Sequence, residues 1–279
     1  MPRGADNSSA PPAALRGLGE YFAQSERPLT CLLFIAPLLV LYEVGTAYFA
    51  SDPYRHTEQR IIAFSMMREF FGAFGIQSLG AVGRHLPALA VVAILLFWHL
   101  ARKDPWTLRF GTSLGMIVES AVLAVPLFVV SALVRHYVPI MTAGASGGEA
   151  ALASSSDILL AATAPDWRGM VVLSLGAGIY EELVFRLIAF AALSLVFVDL
   201  LKGDRRRAGP LIVVVAAVLF ALYHYKGPEA FTWPTFVFRT VAGLYFGVVF
   251  LVRGFGVTVG SHAAYDIIIV GLAYGRSAH

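Results

Sequence analysis

The sequence predicts an all-α fold, a polytopic transmembrane helix bundle of about seven to eight spans with one amphipathic interfacial helix. Three observations predict it. The 279 residues are 58% hydrophobic and only 14% charged, with a mean hydropathy of +0.71, far from the profile of a soluble domain. No polar segment is long enough to form a soluble domain of its own, so the spans read as a single membrane domain. The basic residues gather in short loops beside apolar runs, the positive-inside pattern. The net charge of +3 therefore reflects membrane topology, and no nucleic-acid partner is expected. The single cysteine, Cys31, excludes an internal disulfide and a Cys-based zinc site.

Residues 1–28 read as a polar N-terminal tail, 29–168 as N-terminal spans and loops, and 169–279 as the helices that carry the chemistry. Leu29 to Ala50 is too long and too far from the start for a secretory signal and reads as a retained first span. Ser51 to Arg60 is a polar loop. Ile61 to Gly80 carries Arg68 and Glu69 among phenylalanines and methionines, which argues for a helix lying in the interface; as a span it would be the eighth. His85 to Leu100 is the second span, and Ala101 to Phe110 a dense basic loop. Thr112 to Val134 is the third, interrupted by Glu119 and Pro126. Arg135 to Arg168 is the longest polar connection.

The fourth span, from Gly169 to Leu201, contains only four charged residues, Glu181, Glu182, Arg186 and Asp199. It ends at the basic cluster Lys202 to Arg207. Gly209 to Tyr225, Phe236 to Val252 and Phe255 to Tyr274 complete the bundle. With 61–80 interfacial, both basic loops and the N-terminus fall on one side, which the positive-inside rule makes cytoplasmic.

Glu181, Glu182 and Arg186 sit far from either end of their span. A charged side chain near a bilayer centre costs about 2.5–3.5 kcal/mol on insertion scales, so a polar cluster at this depth points to function. Residues four apart share a helix face, which pairs Glu182 with Arg186 as a structural ion pair. Glu181 projects about 100° away and is left to face a cavity as a candidate general base. Two further polar groups lie on later spans: His224, and His262 one helical turn before Asp266. Counted at about 1.5 Å per residue from the basic-loop side, His262 lies about 10 Å deep and His224 more than about 20 Å, so the two are expected at different levels.

Glu181-Glu182-x-x-x-Arg186, Phe220-x-x-x-His224 and His262-x-x-x-Asp266, in that order on apolar helices, resemble the CAAX prenyl protease and bacteriocin-processing (abortive-infection-like) family of intramembrane endopeptidases. The resemblance covers roughly Met170 to Tyr274. It implies peptide-bond hydrolysis at the membrane, with Glu181 and His224 activating a water and His262 and Asp266 stabilising the oxyanion. Ionised Asp266 cannot donate a hydrogen bond, which would make it the group that orients or protonates His262. Glu181, His224 and His262 could also supply a zinc site with an open position. Using Glu181 as a ligand leaves no obvious base, so glutamate-activated water without a cofactor is the favoured reading.

The expected partners are the bilayer and a membrane peptide or lipidated protein substrate, and the expected setting is the plasma (inner) membrane of a bacterium. The competing readings are a proton- or cation-coupled transporter using the same groups as a relay, and a non-catalytic family member. No inverted repeat supports transport. Either Glu43 or Glu119 is expected to pair with Arg239 as a structural bridge across helices. Gly243-x-x-x-Gly247 is expected to let its helix pack closely on a neighbour. The four tryptophans read as interface anchors, and Lys202 to Arg207 as a cluster that could touch anionic lipid.

Overall fold

The computed structural model describes residues 13–52, 57–76, 81–141, 166–227 and 230–277, and these are almost wholly helical. The helices are α1 (Ala13–Ser25), α2 (Pro28–Phe49), α3 (Ile62–Ala73), α4 (Ala81–Arg84), α5 (Leu86–Arg102) and α6 (Phe110–Met141). After them come α7 (Trp167–Leu200) and α8 (Arg205–Tyr223), the latter continued by a 3-10 turn, His224–Lys226. The last rod, Trp233–Ser277, breaks at Gly254, and its halves are α9 (233–253) and α10 (255–277). Among the described residues the one strand pairing is a two-residue antiparallel match of Ser51–Asp52 with Thr57–Glu58 in the loop after α2.

Local chemistry sets several of these boundaries. Pro28 opens α2 at a position where its missing N–H costs nothing. Asp166 caps α7 by accepting from the Gly169 N–H at 3.0 Å, and Asp204 caps α8 through the Arg206 N–H at 3.0 Å. α5 stops where Lys103 turns left-handed.

The break at Gly254 decides the architecture. Its φ of 78° with ψ of −179° is open essentially only to glycine, and the chain folds back on itself there. Residues 246 and 262 would lie about 24 Å apart in an unbroken helix, yet the Phe246 and His262 rings stack with centroids 4.6 Å apart. α9 and α10 are thus an antiparallel hairpin. Five described helices are long and apolar enough to cross a membrane; the fifth is this hairpin, and α5 adds a shorter apolar helix of 17 residues. Among the described residues that makes seven apolar rods, the lower of the two expected counts.

The 233–277 hairpin packs against α6, α7, α8 and α2, while α2 also packs on α5 and α7. The principal core joins Phe34, Ile35 and Tyr42 of α2 to Ile179 and Leu183 of α7 and to Val257 and Val259 of α10. As expected, Gly243 and Gly247 allow close packing: a Cβ on Gly243 would lie 2.9 Å from the Ala217 Cα of α8.

Several expectations are corrected. The polar N-terminal tail contains helix α1, which packs on α6 and the C-terminal hairpin; residues 1–12 lie outside the described residues. The interfacial helix ends at Ala73 rather than Gly80, and 77–80 lie outside the description. At 12 residues α3 is about 18 Å long, well short of the roughly 30 Å hydrocarbon layer, so it is no eighth span. α6 runs on to Met141, and most of the expected polar connection, 142–165, is also outside the described residues.

Glu43 and Glu119 are held by other arginines than Arg239. Glu43 pairs with Arg60 at 3.2 Å and His85 at 2.8 Å and accepts from Tyr180 at 3.1 Å. Glu119 pairs with Arg253 and accepts from Tyr21 at 2.6 Å. The reversal at Gly254 explains the second exchange, because it carries Arg253 to Glu119 and to Ser25 at the end of α1. Burial, and then the hydrogen bond to Glu119, push the Tyr21 phenol above its ordinary range, so it stays protonated as the donor.

The hairpin generates a direct prediction. Gly254→Ala should destabilise the protein by about 1–3 kcal/mol, the cost of forcing a side chain into that backbone region. Gly271→Ala, in α10 with open space around it, should be neutral or slightly stabilising. Thermal melting of the purified protein in detergent compares the two, and equal melting temperatures for both variants and wild type would contradict the hairpin turn.

Candidate active site

Three helices supply the polar groups, and a close backbone contact aligns two of them. A Cβ on Gly178 would lie 2.7 Å from the Val259 carbonyl oxygen and 3.0 Å from Ala263, so α7 and α10 touch backbone to backbone. Small residues permit this approach where bulkier ones would hold the helices apart. It occurs one turn before Glu181 and Glu182 and opposite His262. Directly after the two glutamates the helix widens into a π-helical stretch, Leu183–Ile188, which contains Arg186; such stretches recur at functional sites.

Glu182 is fully buried and held on both sides. Its Oε2 lies 3.0 Å from Arg186 Nε, and its Oε1 lies 2.7 Å from His262 Nδ1. Arg186, also fully buried, donates from a terminal nitrogen to the Gly243 carbonyl at 3.2 Å and lies over the Phe220 ring at 4.5 Å. The expected Glu182–Arg186 contact is present. What the sequence did not reveal is that Glu182 also orients His262.

Glu181 has different neighbours. Its Oε1 accepts from the Tyr223 hydroxyl at 3.1 Å. Its Oε2 stands 3.9 Å from His224 Nε2 and 3.8 Å from His262 Nε2. The tautomer of His224 follows from its other nitrogen. Nδ1 is 2.7 Å from the Phe220 carbonyl oxygen, which can only accept, so Nδ1 carries a proton, and in the neutral form of the ring the Nε2 lone pair faces Glu181. The Phe220-x-x-x-His224 spacing thus places a tautomer-fixing carbonyl one turn before the imidazole.

Asp266 Oδ2 is 3.6 Å from His262 Nε2. The contact differs from the expected one, because Glu182 already orients His262 through Nδ1, leaving Asp266 on the side that faces Glu181. The Asp266 and His224 side chains are 27% and 21% exposed, against 0% for Glu182, so the cluster is open at the first two and closed at the third.

Glu181, His224, His262 and Asp266 are therefore brought together, and the expected difference in depth does not separate them. The two imidazoles approach one carboxyl oxygen from different helices, so they need not lie at the same level. α7 also has 34 residues, about 51 Å, so it inclines or protrudes beyond a hydrocarbon layer of roughly 30 Å. Depth counted along upright helices then misleads.

Glu181, His224 and His262 are the set that zinc would require. Among the described residues, no group of three or more His, Cys, Asp or Glu has an arrangement that could hold a metal ion.

Sequence reasoning missed Tyr223 and Phe246, both in contact with the cluster. Tyr223 adjoins His224, which was a usable signal, but a tyrosine near a span end reads first as an interface anchor. Phe246 lies inside Gly243-x-x-x-Gly247 and reads as packing; only the hairpin brings it to His262.

The buried ion pair is testable by its asymmetry. Arg186→Met should cost about 3–5 kcal/mol by stranding the Glu182 carboxylate, and Glu182→Gln combined with Arg186→Met should recover part of that loss. Denaturation in detergent measures both, and a single variant as stable as wild type would contradict the pairing.

Residues 163–268 match the family model described as Type II CAAX prenyl endopeptidase Rce1-like. Comparison with curated proteins and with solved structures finds no match. The matched stretch contains both glutamates, Arg186, both imidazoles and Asp266, while α1 to α6 lie before it. Over residues 163–268 the chain is therefore similar to the Rce1-like type II CAAX prenyl endopeptidase family.

Proposed function

We propose that the chain is an intramembrane endopeptidase that hydrolyses a peptide bond in a membrane-bound or lipidated substrate, using a water activated by Glu181. The observation that carries this reading is the single carboxyl oxygen, Glu181 Oε2, faced by two imidazole Nε2 atoms at 3.9 and 3.8 Å. Both gaps exceed the roughly 3.2 Å limit of an ordinary hydrogen bond and suit groups that share a water.

The chemistry runs through this chain's own groups. Glu181 takes a proton from the water, His224 Nε2 helps orient it, and the water oxygen attacks the scissile carbonyl carbon. Negative charge builds on the carbonyl oxygen. His262, doubly protonated with its Nδ1–H on Glu182, offers Nε2–H to that oxygen, while the Asp266 carboxylate faces the same nitrogen at 3.6 Å without a direct hydrogen bond. As the intermediate collapses the C–N bond breaks, and the proton held by Glu181 passes to the leaving amine. The products are a carboxylate and an amine, and no metal is used in any step. The chain is an integral membrane protein, and we place it in a bacterial plasma membrane with its basic loops on the cytoplasmic side.

The test uses the full chain reconstituted in liposomes with a membrane peptide whose products are read by mass spectrometry. Glu181→Gln and Glu181→Ala should abolish cleavage while both variants fold, and chelator-treated wild type should remain active. Cleavage by Glu181→Gln, or proton flux by a wild type that cleaves nothing, would overturn the reading, the second result in favour of transport.

A further inference from the structure

Two hydrogen bonds meet on the Tyr223 hydroxyl. It lies 2.9 Å from the backbone N–H of Ala63 and 3.1 Å from Glu181 Oε1. A hydroxyl has one proton and two lone pairs, whereas a backbone N–H only donates. The hydroxyl must therefore accept from Ala63, and its own proton is committed to Glu181. Ala63 stands in the first turn of α3, where N–H groups have no partner within the helix, so Tyr223 satisfies a donor that would otherwise be orphaned in a fully buried residue. The ring is confined by Phe185 at 5.0 Å and by the His224 imidazole at 4.8 Å.

We propose that Tyr223 is a positioning residue: anchored on the first turn of α3, its hydroxyl occupies one oxygen of Glu181 and so turns the other toward both imidazoles. Without that bond the carboxyl can rotate about its terminal torsion, which is broad and roughly two-fold for glutamate, and the base loses its fixed aim. The inference rests on the endopeptidase reading and adds α3 to the supports of the reacting carboxyl. That short helix lies outside the family match.

The experiment measures kcat and KM of the reconstituted full chain on one membrane peptide for wild type, Tyr223→Phe, Tyr223→Leu and Glu181→Gln, with melting temperatures for each. Tyr223→Phe should lower kcat about ten- to hundred-fold, as expected for losing a hydrogen bond to a charged group, with KM within about twofold. Its melting temperature should be lowered by the orphaned Ala63 N–H, though no further than in Tyr223→Leu, which orphans the same donor. Tyr223→Leu should be no more active. If the ring matters only as packing, Tyr223→Phe will keep wild-type kcat while Tyr223→Leu loses it, and the proposal is overturned.

Wild type that cleaves, with Glu181→Gln silent and Tyr223→Phe unimpaired, defeats this inference alone; a wild type that cleaves nothing defeats the endopeptidase reading beneath it. Should Tyr223→Phe fail to fold, Tyr223→3-fluorotyrosine nearly keeps the shape while making the hydroxyl a stronger donor and a weaker acceptor, and an unchanged kcat would count against the proposal. A readout free of substrate is the infrared carboxyl band removed by Glu181→Gln, which should shift in Tyr223→Phe and would stay in place if the hydroxyl did not matter.

Discussion

A carboxylate with no route to water must find its charge partners in the protein, and Glu182 finds them on two different helices. Arg186 approaches from its own rod at 3.0 Å and His262 from α10 at 2.7 Å. Losing either would leave a charge in a medium that solvates it poorly. The same carboxylate therefore holds α7 to α10 and sets the face that His262 turns to Glu181. The neighbouring glutamate can be left without a full charge partner because Glu182 has taken them. Two adjacent residues with one side-chain chemistry acquire different tasks from the roughly 100° between them on a helix.

The hairpin at Gly254 makes that interaction possible. If the last rod ran straight, His262 would be carried past the end of α9 and could not stack on Phe246. Because the chain reverses, α10 descends between α7, α6 and α2, where Gly178, Gly256 and Gly260 leave room for contacts with Val259, Met116 and Ser120. The arginine just before the turn is neutralised by Glu119 of α6 and bonds to Ser25 of α1. Helices outside the matched domain thus clamp the hinge that delivers His262.

The membrane character, most span positions and the polar positions that converge could be read from the chain, because apolar length and isolated charges are strong signals in a bilayer. Glu182 with Arg186, and His262 with Asp266, were legible for a further reason: each pair lies one turn apart on one helix. What could not be read was which particular side chains would become partners across two helices. Glu43 and Glu119 looked equally free to bridge to Arg239, and only the folded chain brings Arg60 and Arg253 to them. The exchange of orienting roles between Asp266 and Glu182 has the same origin, since a partner at i+4 is visible in sequence and a closer one across an interface is not. Helix α1 was hidden by a polar composition that a surface helix tolerates as readily as a loop.

The central claim is that one oxygen of Glu181 and the Nε2 atoms of His224 and His262 surround the place where water meets the scissile carbonyl. An experimental structure of the full chain with a peptide analogue bearing a tetrahedral hydroxyl at the scissile position measures this most directly. The account predicts that hydroxyl within hydrogen-bond reach of Glu181 Oε2 and of at least one of the two imidazoles, with Glu182 still bound to His262. A mimic seated elsewhere in the bundle, with the Glu181 carboxyl turned away from both rings, would contradict it.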